Sequence, residues 1–171
     1  MPSKHQDNQH QKRPLMPQVA LDKPVPDFER PATGDKTVRL SDFKGKQHVV
    51  IYFYPKDDTP GCTTEGKDFT EQYARLGKQG VAVLGVSRDS LKSHEKFKEK
   101  YGFPFDLLSD EDESLCTLFD VIKMKNMYGK QVRGIERSTF LIDKQGVLRR
   151  EWRKVKVPGH VDEVLEAIKE L

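Results

Sequence analysis

Short runs of almost unbroken apolar residues, separated by polar segments with helical spacing, restrict this chain more than any other feature. They are HVVIYFYP at 48–55, VAVLGVS at 81–87 and a shorter FDLLSD at 105–110. A strand that is apolar at successive positions needs cover on both faces, which is how parallel sheets flanked by helices read. The intervening segments supply that cover. Residues 60–78 place Phe69, Tyr73 and Leu76 at helical spacing, and Ser90–Tyr101 is amphipathic, with Asp89 or Ser90 as its cap. A shorter helix is expected over about 111–119.

Further on, IERSTFLID (135–143) and VLRREW (147–152) flank the turn Asp143–Gly146, a hairpin signal, and a last helix is expected from about Val161 to Leu171. Upstream, VPDFERPATGDKTVRLSDFKGK reads as two short strands about a turn at Thr33–Lys36. A β-α-β unit followed by β-β-α gives an α/β fold with a mixed central sheet flanked by helices, the thioredoxin-like arrangement. Residues 1–17 (MPSKHQDNQHQKRPLMP) are polar and unpatterned, so they are expected to be a disordered extension before one domain over 18–171.

Charge and cysteine content exclude several classes. Thirty basic against 27 acidic residues leave +3, too balanced to announce a nucleic-acid partner. No stretch approaches the roughly 20 apolar residues of a membrane span, and no apolar run marks a secretory signal. Two cysteines are too few for a disulfide scaffold. They do not form a zinc site alone, and His5, His10, His48, His94 and His160 show no ligand spacing beside them, so no metal or cofactor is expected. The expectation is a cytoplasmic protein, monomeric or weakly dimeric, whose cysteine is catalytic or inert rather than bridged.

The stretch TPGCTTEGKD (59–68) supports two incompatible readings. From Gly61 it spells G-x-x-x-x-G-K, close to a phosphate-cradling loop. That loop ends on a Ser or Thr hydroxyl for Mg²⁺, whereas here the position is Asp68, with Asp57, Asp58 and Glu65 adding negative charge nearby. From Thr59 the stretch instead places Cys62 in the first turn of a helix started by Pro60, with Thr59 as the N-cap. A thiol reacts as its thiolate, and the free N–H groups and positive dipole end of a helix favour that anion. The dipole contributes about 1 kcal/mol, so a cation is needed as well. Arg137, within an otherwise apolar strand, is the candidate. Its ordinary reading pairs it with a carboxylate such as Glu136 or Glu65 or sends it to solvent; the alternative, since a buried guanidinium needs an anion, aims it at the sulfur of Cys62.

PKDDTPGCTTEG (55–66) resembles the active-site turn of the peroxiredoxins, P-x-x-x-T-x-x-C, and GIERSTFLID resembles the strand that carries their arginine. With LSDFKGK, VLGVSRDS, FDLLSDED and FLIDKQGVLR the pattern is similar to the bacterioferritin comigratory, or Q-type, subfamily over about residues 19–171. The resemblance implies a thiol-dependent peroxidase for hydrogen peroxide and organic hydroperoxides. Cys62 is then the nucleophile that becomes a sulfenic acid, Thr59 binds the peroxide, Pro55 shields the sulfur and Arg137 orients the oxygens. The ordinary readings of Pro55 as a strand end and Thr59 as a cap stand beside these.

Many Q-type members carry a second cysteine five residues after the first, where this chain has Lys67. The remaining thiol, Cys116, lies beside Leu115, Leu118, Phe119 and Ile122, which suits a buried structural residue; resolution by Cys116 needs the helices to open. The expectation is therefore a one-cysteine cycle completed by thioredoxin, glutaredoxin or a small thiol. A dithiol oxidoreductase is disfavoured because Cys-Thr-Thr-Glu replaces C-x-x-C, and a stoichiometric redox sensor stays open. Trp152 and His160 are read as packing and as a polar neighbour of a helix start.

Overall fold

The computed structural model describes residues 18–171, and the expected N-terminal extension lies outside the described residues. The chain runs β1 (Glu29–Ala32), β2 (Lys36–Arg39), a 3-10 turn (Leu40–Asp42), β3 (His48–Phe53), α1 (Pro60–Glu71), α2 (Tyr73–Lys78) and β4 (Val81–Ser87). It continues through α3 (Leu91–Tyr101), β5 (Asp106–Ser109), α4 (Ser114–Leu118), β6 (Ile122–Met127), β7 (Lys130–Ile135), β8 (Ser138–Ile142), β9 (Leu148–Trp152) and α5 (His160–Ile168). Seven strands form one sheet in the order β2-β1-β5-β4-β3-β8-β9, and β6 and β7 form a separate hairpin. The neighbours β3–β4 and β4–β5 are parallel, and the outer pairs are antiparallel. This is the mixed sheet that the order of segments implied.

Strand β3 shows why its sequence has no polar face. Val49, Ile51 and Phe53 enter one core, while Val50, Tyr52 and the following Tyr54 enter a second core on the opposite face. The second core is closed by α1, α2, α3 and α5 through Phe69, Leu76, Phe97 and Val164. The first is closed by Leu115, Cys116 and Phe119 together with Val38 and Leu40 from the N-terminal hairpin region. Trp152 packs as expected. His160 differs, being 2% exposed, with its ring edge on Trp152 and its Nε2 2.8 Å from Thr139 Oγ1, so it belongs to the core.

Three details depart from the sequence reading. The helix expected over 60–78 breaks at Gln72 into α1 and α2. Phe69, Tyr73 and Leu76 keep the same spacing on either side, so periodicity carries no sign of the break. Arg137 lies in the link between β7 and β8 rather than within a strand. The hairpin β6–β7 was not anticipated. Its two-residue turn, Tyr128 (φ 53°) and Gly129 (φ 80°), has the left-handed pair that tight hairpins need. Its strands carry lysines and half-exposed methionines rather than a buried apolar face, so the usual alternation signal is missing.

Gly66 is tied to this architecture. A Cβ there would fall 2.4 Å from Phe103, which is itself held by Phe97 and stacked on Phe105. Gly66→Ala is expected to destabilise the fold by roughly 1–3 kcal/mol through overpacking. A urea denaturation midpoint unchanged from wild type would contradict that account.

Candidate active site

Cys62 is the third residue of α1 and is 2% exposed. Pro60 starts the helix, where its missing N–H costs nothing. Thr59 occupies the N-cap by its backbone (φ −103°, ψ 157°), but its side chain does not cap. The hydroxyl donates instead to the Lys56 carbonyl at 2.8 Å. No side chain therefore caps the first turn, and the unpaired helix N–H groups stay available to an anion.

Arg137 crosses from the β7–β8 link to this turn. Its Nη1 donates to Glu65 Oε1 at 2.6 Å and its Nη2 to Cys62 Sγ at 3.5 Å. The two readings of this arginine are thus both realised, with one guanidinium serving the carboxylate and the sulfur. The approach is close enough that a Cβ on Gly61 would lie 3.0 Å from Nη2. Burial pushes the Glu65 carboxyl up to about 7 against the pull of Arg137. Burial also works against the Arg137 charge, but Glu65 and Cys62 outweigh it and its pKa is raised. Glu65 Oε2 is buried with no protein partner.

The glycines and lysine that suggested a phosphate loop have packing roles here. Gly61 makes room for Arg137 and Gly66 for Phe103, and Lys67 Nζ lies 5.2 Å over the Tyr101 ring. Among the described residues no group of three or more His, Cys, Asp or Glu side chains could hold a metal ion. No helix of these residues is long and apolar enough to cross a membrane.

Pro55 and Thr59 sit on the loop between β3 and α1, and that loop is held by a network the sequence did not reveal. Asp57 receives Tyr54 Oη, Ser93 Oγ and His94 Nδ1, each at 2.7 Å. His94 Nε2 reaches the Leu108 carbonyl at 2.8 Å, and the Asp57 N–H donates to Asp89 at 2.9 Å. Asp58 adds two ties to α3, from Lys100 Nζ (2.8 Å) and Tyr101 Oη (2.7 Å). Asp89 therefore anchors the loop, while Ser90 caps α3 by accepting from the Ser93 N–H. The signal in the sequence was a Ser-His pair inside an amphipathic helix, with nothing local to say what it meets.

Cys116 is not brought to the site. It lies in the core on the opposite face of the sheet from Cys62. Both cysteines are unbridged, and burial, then the neighbouring Asp110, pushes the Cys116 thiol far above its ordinary value. A disulfide needs Cα atoms within about 7 Å, so resolution by Cys116 would require the layers to come apart rather than a helix to shift.

Residues 21–151 match the family model described as AhpC/TSA. The chain belongs to that family. It is 54% identical over 156 residues to Peroxiredoxin Bcp of Xanthomonas campestris, covering 90% of this chain and 97% of the relative. It is 50% identical over 153 residues to Peroxiredoxin Bcp of Bacillus subtilis, again with 90% and 97% covered. A solved structure concerned with alkyl peroxide reduction by the Xanthomonas campestris bacterioferritin comigratory protein is 55% identical, with TM-score 0.79 and 84% and 90% covered. A cysteine-to-serine mutant of Xylella fastidiosa PrxQ is 45% identical, with TM-score 0.84 and 91% and 98% covered. The chain is a peroxiredoxin of the Bcp or Q type, with the thioredoxin-like fold and thiol-dependent peroxidase activity of that group.

The raised Glu65 carboxyl has a measurable consequence. Between its ordinary value of 4.5 and about 7, the unfolded chain releases a proton that the folded chain keeps. Stability is therefore fully present below that window and declines as pH rises through it, by on the order of 3 kcal/mol. Glu65→Gln is expected to remove this slope. Urea unfolding at pH 5 and pH 7.5 checks it, and parallel behaviour of variant and wild type would rule out the assignment.

Proposed function

We propose that Cys62 is the peroxidatic nucleophile and that its cycle is completed by an external thiol. The observation that carries this is the placement of Cys62 Sγ on an uncapped helix start, 3.5 Å from Arg137 Nη2. A sulfur so placed is opposite the charge its ionised form needs, and a donor is preorganised beside the oxygens of a bound peroxide.

The sulfur attacks the nearer oxygen of R–O–O–H, an S–O bond forms as the O–O bond breaks, and the departing oxygen leaves as an anion that takes up a proton. Arg137 stabilises charge on both sides of that exchange. Thr59 has committed its hydroxyl proton to the Lys56 carbonyl, so its oxygen presents lone pairs and accepts from the peroxide O–H. Pro55, half-buried at the start of the same loop, limits water at the sulfur. The products are water or an alcohol and Cys62 sulfenic acid, which must be reduced before a second peroxide carries it further.

Reduction falls to a second molecule because Lys67 stands where many relatives place a second thiol and Cys116 lies across the sheet. Thioredoxin, glutaredoxin or a small thiol of a reducing cytoplasm fits this step. A protein thiol does not reach a sulfur that is 2% exposed, so the first turn of α1 opens before a protein reductant attacks.

Peroxidase turnover is expected to vanish in Cys62→Ser and to stay near the wild-type level in Cys116→Ser. Non-reducing mass spectrometry after one equivalent of peroxide is expected to show sulfenic acid or a mixed disulfide at Cys62. A Cys62–Cys116 disulfide as the main product would overturn the one-cysteine cycle.

A further inference from the structure

The hairpin β6–β7 has a surface that the peroxide chemistry does not use. Of the six large apolar side chains exposed among the described residues, four lie on it: Met124, Met127, Tyr128 and Val132, with Tyr128 99% exposed at the tip. Residues 122–135 carry four basic side chains, Lys123, Lys125, Lys130 and Arg133, and no acidic one. The whole chain has 30 basic against 27 acidic residues, so outside this hairpin the count is 26 against 27. The hairpin therefore carries four positive charges of its own, of which Lys123 is paired with Asp120 and Arg133 with Glu113 from neighbouring segments.

The register sorts these residues by face. Lys125 opposes Val132 and Met127 opposes Lys130, so these four share one side, while Met124 and Arg133 share the other. Arg133 is tied to Glu113 at the start of α4, so its charge is already matched, while Met124 beside it stays exposed. On the other side Met127, Lys130 and Val132 are exposed with no acidic partner among the described residues, and Lys125 is half-buried at the base. That base adjoins the active site. Lys125 Nζ donates to the Ile135 carbonyl, two residues from Arg137. Burial and then the Arg137 charge lower the Lys125 pKa, while Glu136 and Cys62 oppose them. The six residues of β7 from Lys130 to Ile135 span about 17 Å, well within the footprint of an ordinary protein interface.

We propose that this face of the hairpin is the docking surface for the protein that reduces Cys62 sulfenic acid, an acidic dithiol protein. The assignment rests on the external-thiol cycle proposed above. Charge argues against the other occupants. A second copy related by a two-fold axis would set Lys125 and Lys130 against their own equivalents. Segment 1–17 has Lys4, Lys12 and Arg13 against Asp7 and is repelled as well. An acidic surface is attracted, and Met127, Val132 and Tyr128 give it apolar contacts that exclude water. In the step itself, one partner thiolate attacks the sulfenic sulfur, forming a mixed disulfide and releasing the oxygen as water. The second partner thiol then breaks that disulfide, returning Cys62 as a thiol and leaving the partner oxidised.

The test compares wild type with the double variant Lys130→Glu, Val132→Asp and with Tyr128→Ser, none of which touches the peroxide site. Three rates are measured: the single-turnover reaction with hydrogen peroxide, turnover driven by dithiothreitol, and turnover driven by an acidic thioredoxin with its reductase and NADPH. The first two are expected to be unchanged, and the KM for thioredoxin is expected to rise at least tenfold in the double variant. Added salt is expected to raise the wild-type KM and to leave that of the double variant nearly flat. An unchanged KM, or an equal loss with dithiothreitol, overturns the docking assignment. So does a wild-type dimer that the substitutions dissociate, because the face then belongs to a second copy. Wild type that turns over with dithiothreitol but not with thioredoxin also overturns it while leaving the peroxidase reading intact, whereas failure to react with peroxide at all defeats that reading first.

Discussion

One guanidinium holds this site together. Arg137 is mostly buried between Glu65 and Cys62, and a charge in that position is tolerable only when anions face it. The contact joins two separate pieces of chain: the β7–β8 link that carries the arginine, and the start of α1, where the bare Cα of Gly61 lets Nη2 approach. The same arrangement leaves a strained balance at Glu65, whose carboxyl is burdened by burial more than it is relieved by its partner. A site poised in this way is suited to a reaction in which negative charge moves from sulfur to a departing oxygen.

The loop ahead of α1 is fixed by a second set of buried polar groups. Asp57 gathers three donors, and His94 bridges it to the backbone of β5, so Pro55 and Thr59 hang from a segment pinned to α3 and to the β4–α3 link as well as to its own strand. Such a fully hydrogen-bonded network gives a unique geometry at the cost of desolvating every member. It places Thr59 so that the residue caps α1 by its backbone alone, with its hydroxyl turned to the Lys56 carbonyl.

The sheet acts as a partition. Its two faces bury separate cores, and the two cysteines fall on different sides. Sequence separation alone leaves their meeting open, whereas the layers close it. The external-thiol cycle proposed above rests on this separation, and the proposed docking face lies on the exposed, partly apolar hairpin whose base adjoins Arg137.

Local pattern determined a good deal on its own. The apolar runs at 48–55 and 81–87 specified buried parallel strands because their apolar side chains enter cores on both faces of the sheet, and Pro60 marked the helix start that carries Cys62 in its first turn. Those are properties of neighbours along the chain. The partnership of Arg137 with Glu65, the Asp57–His94 network and the isolation of Cys116 are contacts across 72, 37 and a whole sheet layer of separation. The roles of Gly61 and Gly66 were hidden for the same reason, since their meaning lies in Arg137 and Phe103 rather than in their own dihedral freedom. Backbone preference and hydrophobic period act over a few residues, so they place strands and a helix start. Which charges meet in the interior is decided only when the layers pack.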